Sequence, residues 1–173
     1  MRSFSIALLT VTALVGSLTL SAQPAGAAID PPPGSTVVLQ AKGAGVQIYS
    51  CAEPQGTFKW MLKAPDAKLL DESGKQIGTH FAGPTWKLTD GSQVQGELIA
   101  SRPAPEPNAV PWLLLRSKPG TASGKFAGVA FIQRAETHGG SAPATGCSSP
   151  GDLDQSLRVP YSATYTFFAA SQR

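Results

Sequence analysis

From Thr36 onward the chain reads as short apolar or alternating runs cut by turn residues. Nowhere does it hold ten residues with apolar positions at helical spacing. Residues 36–40 form a first run, followed by the Gly43-Ala44-Gly45 break. Residues 46–51 set Val46 and Ile48 against Gln47 and Tyr49, and residues 58–63 follow the Pro54-Gln55-Gly56 punctuation. Asp71-Glu72-Ser73-Gly74 predicts a turn between residues 68–70 and 75–81. Asp90-Gly91, between residues 85–88 and 93–100, is the strongest hairpin signal, because this dipeptide tolerates the positive φ of a tight turn. Residues 112–117 read as a buried strand, with Trp112 in the core, and 128–137 as a strand rich in β-formers. Residues 158–168 alternate Tyr161, Ala163, Tyr165 and Phe167 against Ser162, Thr164, Thr166 and Phe168. Pro160 cannot donate to a ladder, so it marks a strand start or an edge.

The intervening stretches read as connections. Pro31-Pro32-Pro33-Gly34 makes residues 28–35 an extended lead-in, since three prolines fix φ and supply no donor. Four prolines make residues 102–111 a surface loop, and residues 138–157 a long irregular connection held at Cys147. Eight to ten short strands predict an all-β, antiparallel fold, either a β-sandwich or a sandwich-like barrel. Periodicity does not separate the two, and a single domain without internal repeats covers residues 36–170.

The N-terminus changes the compartment. Arg2 is followed by an uncharged run from Phe4 to Leu20 and by small residues, the three-part pattern of a secretory signal peptide over residues 1–27. Ala25 and Ala27 suit an A-x-A cleavage site. Its removal takes only Arg2 among the charged residues, and leaves a soluble, nearly neutral chain. Lys and Arg are spread singly, without the clustered footprint of a nucleic-acid or anionic-membrane binder. Cys51 and Cys147 are the only cysteines, and an even count outside the cytosol predicts a disulfide.

Several segments carry a family likeness. They are Val46-Gln47-Ile48-Tyr49-Ser50-Cys51, His80-Phe81-Ala82-Gly83-Pro84-Thr85-Trp86, Pro111-Trp112-Leu113-Leu114-Leu115-Arg116, Thr137-His138-Gly139-Gly140 and Val159-Pro160-Tyr161-Ser162-Ala163-Thr164-Tyr165. With them the chain resembles the secreted bacterial and fungal proteins grouped as a domain of unknown function. The resemblance implies a single secreted domain. It brings no established activity, cofactor or catalytic residue.

Candidate chemistry is sparse. His80 is the best single residue, because an imidazole can move protons or bind metal near neutral pH, and Gly83-Pro84 offers a turn to present it. His138, far away in a Gly-rich segment, gives no ligand spacing with it, so no metal and no cofactor are expected. A G-x-S-x-G elbow and a phosphate-cradling loop are both lacking. Glu136, two residues from Arg134, is expected on the same strand face in an exposed ion pair. Trp86, beside the Gly-Pro turn, is expected at a rim. Arg116 and Arg134 end apolar runs and suit an anionic group. The predicted site is a ligand groove at strand ends formed by His80, Trp86, Arg116 and Arg134. These observations imply an exported, monomeric, disulfide-bridged module that binds a small molecule or glycan or is associated with the cell envelope. The alternatives are a small secreted enzyme using His80 with Asp90 or Glu136, and a structural interaction protein. A carboxylate sharing a concavity with His80 would favour the enzyme.

Overall fold

The structure, a computed structural model, describes residues 28–171, so the expected signal peptide lies outside the described residues. Eight strands follow in order: β1 (Thr36–Ala52), β2 (Lys59–Leu70), β3 (Gln76–Phe81), β4 (Thr85–Leu88), β5 (Gln93–Arg102), β6 (Trp112–Ser117), β7 (Val129–Gly139) and β8 (Ser156–Ala169). Each pairs antiparallel with the next, and β8 returns to β1, closing an all-β barrel. Closure removes most of the exposed edges that a sandwich would keep. The Asp90-Gly91 turn joins β4 to β5 as the sequence predicts, and Asp71 caps the β2–β3 turn by accepting from the backbone N–H of Ser73 and Lys75, each at 3.0 Å.

Three segments differ from the sequence reading. The Gly43-Ala44-Gly45 stretch does not interrupt β1. A Cβ on Gly43 would stand 2.5 Å from Cε2 of Tyr165, so glycine here makes room for a ring while the strand runs on. The runs predicted at residues 58–63 and 68–70 merge from Lys59 onward into one strand, β2, which continues through Pro65. His138 lies in β7 rather than in a loop. Pro160 sits inside β8, one residue beyond the last residue paired to β7, where its missing donor costs no bond to that neighbour.

The barrel interior is aromatic. Trp86, Tyr165, Phe126 and Phe167 are almost wholly buried, with Leu69, Val94 and Ile132 around them. Trp86 meets Tyr165 and Phe167 edge-on, at centroid distances of 5.4 and 5.8 Å. The lead-in is anchored: Ile29 is buried, and Gln133 donates to its carbonyl at 3.0 Å. Cys51 and Cys147 are bridged, with Cα atoms 5.4 Å apart, which ties the end of β1 to the β7–β8 connection.

The short β3–β4 hairpin shapes the wall. Its flanking strands overshoot it: β2 pairs with β3 only from Ala67, and β4 pairs with β5 only as far as Gln95. Residues 59–66 and 97–102 therefore lack a strand partner on the side above the Gly83-Pro84 turn.

Candidate functional site

Strand register explains which side chains meet inside. Residues directly opposite one another across an antiparallel ladder share a face. One row runs Ala67, His80, Trp86 and Val94 across β2 to β5. A second runs Leu113, Arg134, Tyr165 and Ala41 across β6, β7, β8 and β1. Ala67, Trp86, Val94, Tyr165 and Ala41 are buried, so His80 and Arg134 also turn inward. Together with Gln47, Leu115 and residues 62–65 they line a cavity of about 230 Å³ below the gap in the wall. Gly96 permits this packing, since a Cβ there would stand 3.1 Å from the indole of Trp86.

His80 is 3% exposed and stacks on Trp86, with ring centroids 4.4 Å apart and planes 10° from parallel. Its Nδ1 lies 2.9 Å from the Thr85 carbonyl. A carbonyl only accepts, so Nδ1 carries the proton and Nε2 presents a lone pair. Burial pushes the imidazole down to about 4, the Thr85 carbonyl opposes this, and the Arg134 charge adds to it. At neutral pH His80 is an uncharged acceptor.

Arg134 donates from Nε and Nη2 to the Pro111 carbonyl, at 3.0 and 2.8 Å. Of the five N–H groups of a guanidinium this leaves three. No carboxylate pairs with Arg134 among the described residues. Its charge acts on its surroundings, drawing down the hydroxyls of Tyr165 and Tyr161 against the larger upward push of their burial. Lys63 supplies a second cation at the cavity. It falls at the β-bulge of β2, where the register skips between Ala64 and Leu62. Two buried donors, Gln47 Nε2 and Trp86 Nε1, have no partner among the described residues, although both residues line the cavity.

The structure thus brings together three of the four residues that the sequence proposes: His80, Trp86 and Arg134. Trp86 is not at a rim, because it forms the inner wall and is 1% exposed. Arg116 is elsewhere: it is exposed on the barrel surface and paired to Glu97 at 3.2 Å. Trp112, expected in the core, is half-buried, with the Arg102 guanidinium 4.7 Å above its ring. Glu136 makes no ion pair with Arg134. It falls in the β7 bulge with φ 47°, which turns it outward to accept from Thr164 Oγ1 at 2.7 Å. Asp90 serves the hairpin, where the Ser92 side chain and backbone and Lys125 hold its carboxyl at about 2. His138 is exposed against Glu106.

Gln47 and Lys63 were not anticipated. The alternation in β1 is inverted from its sequence reading: Gln47, Tyr49 and Cys51 face inward, and Val46 and Ile48 are only half-buried. The available signal was Gln47 in phase with Cys51, whose bridge fixes that side as inner.

No curated protein and no solved structure matches this chain. A family model does, over residues 31–169, which takes in every strand of the barrel. The chain belongs to the family described as "Protein of unknown function (DUF3455)".

Proposed function

We propose that this protein is an exported binding domain whose barrel cavity holds a small organic ligand. One observation carries the reading: the cavity has aromatic and aliphatic walls, two cations and no carboxylate among its lining residues. The competing enzyme would set His80 against Asp90 or Glu136. Both carboxylates are engaged outside the cavity, in the β4–β5 turn and on Thr164. A binding site is typically concave, largely apolar and furnished with a few convergent polar groups, and this cavity meets that description. An empty cavity of about 150 Å³ takes benzene, so about 230 Å³ suits a single-ring molecule with substituents. The signal-peptide pattern of residues 1–27 and the Cys51–Cys147 bridge support export.

The test is mass spectrometry of small molecules released from protein purified out of its native secretions. A molecule bound near one per protein and absent from a Leu113→Trp variant, whose indole fills the cavity, is the expected result. Equal retention by the filled variant would contradict the reading.

A further inference from the structure

The polarity of the cavity is uneven, and that narrows what it takes. Four groups are available to a ligand. Arg134 offers three N–H groups with no carboxylate opposite, and Lys63 adds a second positive charge near the opening. His80 offers an acceptor, since its Nδ1 proton is committed to the Thr85 carbonyl and Nε2 meets no hydrogen-bond partner among the described residues. Pro65, Pro84 and Leu113, each half-buried on the lining, offer an apolar wall. A neutral, fully apolar ligand would leave the Arg134 charge and the His80 lone pair unsatisfied, at the cost attached to desolvated polar groups. A cationic ligand would meet like charges. A neutral glycan residue offers hydroxyl donors to His80 but no negative charge to Arg134.

We infer that the ligand is a single-ring organic acid carrying a hydrogen-bond donor. Its carboxylate lies on the free N–H groups of Arg134, its ring packs against Pro65, Pro84 and Leu113, and its hydroxyl or amino group donates to His80 Nε2. This rests on the binding reading above and adds the chemical class. The guanidinium is pre-positioned: the two bonds to Pro111 fix its plane, so little side-chain freedom is lost when a carboxylate arrives. The carbonyl of Thr85 does the same for His80, locking the tautomer that accepts at Nε2.

Calorimetric titration of the intact exported protein at pH 7.5 tests it. The probes are the three hydroxybenzoate isomers, benzoate, and the neutral hydroxybenzyl alcohols. At least one hydroxybenzoate should bind about tenfold or more tightly than its alcohol, the fold-change commonly carried by one hydrogen bond to a charged group, and about threefold or more tightly than benzoate, that of a neutral hydrogen bond. Arg134→Gln should level the acid with the alcohol, and Arg134→Lys should restore part of the difference. Should both variants fail to fold, the comparison of probes on the unaltered protein still decides. Alcohols binding as well as the acids would overturn the organic-acid assignment while leaving the binding reading intact. Benzoate binding as well as the hydroxybenzoates would overturn the role of His80 as acceptor. No binding of any probe, charged or neutral, would overturn the assignment and count against the binding reading as well.

Discussion

His80 should make the stability of the barrel depend on pH in a window where few other groups titrate. In the unfolded chain its imidazole takes a proton near 6.5, and in the folded barrel only near 4. Between these values the unfolded state binds more protons, so stability rises with pH. The contribution is fully present above about 6.5 and is lost as pH falls through 4. A difference of that size corresponds to about 3 kcal/mol. The cause is geometric: protonating Nε2 would place a charge among Trp86, Tyr165 and the Arg134 guanidinium, with no carboxylate on the cavity wall. Asp90, with its carboxyl held near 2, gives a similar dependence at lower pH. Urea unfolding at several values between pH 7.5 and 4, on the native protein and on His80→Asn, separates the two. The asparagine nitrogen can replace Nδ1 as donor to Thr85 but does not titrate. The variant will be less stable at pH 7.5, because it loses the stack on Trp86. Its loss between pH 7 and pH 4 should be smaller than that of the native protein by about 3 kcal/mol. Equal losses in the two proteins would refute the buried, neutral imidazole.

Other consequences are more local. Reducing the Cys51–Cys147 bridge, whose partners are 96 positions apart, should cost up to about 4–5 kcal/mol, read as a lower urea midpoint with reductant than without. Gly43→Ala should destabilise by about 1–3 kcal/mol through its clash with Tyr165, whereas Gly128→Ala, with open space around it, should change stability by less than about 0.5 kcal/mol in the same assay. Arg116→Ala removes an exposed ion pair and should shift stability by no more than about 1 kcal/mol, with no effect on hydroxybenzoate affinity in calorimetry.

The sequence carried the strand content well, because turn chemistry is local. Asp71 to Gly74 and Asp90-Gly91 each satisfy their own backbone, and the hairpins follow from them. It misread places where the determinant is a distant residue. Gly43 and Gly45 look like a break until Tyr165 and Ala67 are seen packed against them. Barrel closure depends on β1 meeting β8, more than a hundred positions away, and no local pattern records that pairing. The site was partly legible for the same reason. His80 and Trp86 sit on one hairpin, so their meeting follows from the turn between them. Arg134 reaches them only through the closed barrel. Arg116 resembled it in sequence, each arginine ending an apolar run. The register sets them on opposite faces: Arg134 is opposite Tyr165 and points in, whereas Arg116 is opposite Glu97 and points out.

The central claim, that the barrel interior is the binding site, is tested most directly by the three indole N–H signals in a nitrogen-15 NMR titration with the tightest-binding hydroxybenzoate. Trp86 lines the cavity, Trp60 donates to the Thr145 carbonyl outside it, and Trp112 lies beneath Arg102. A saturable shift of the Trp86 indole and the Gln47 side-chain amide, with Trp60 and Trp112 unmoved, is the predicted result. Shifts confined to Trp112 or Trp60, or no saturable shift of Trp86, would contradict it.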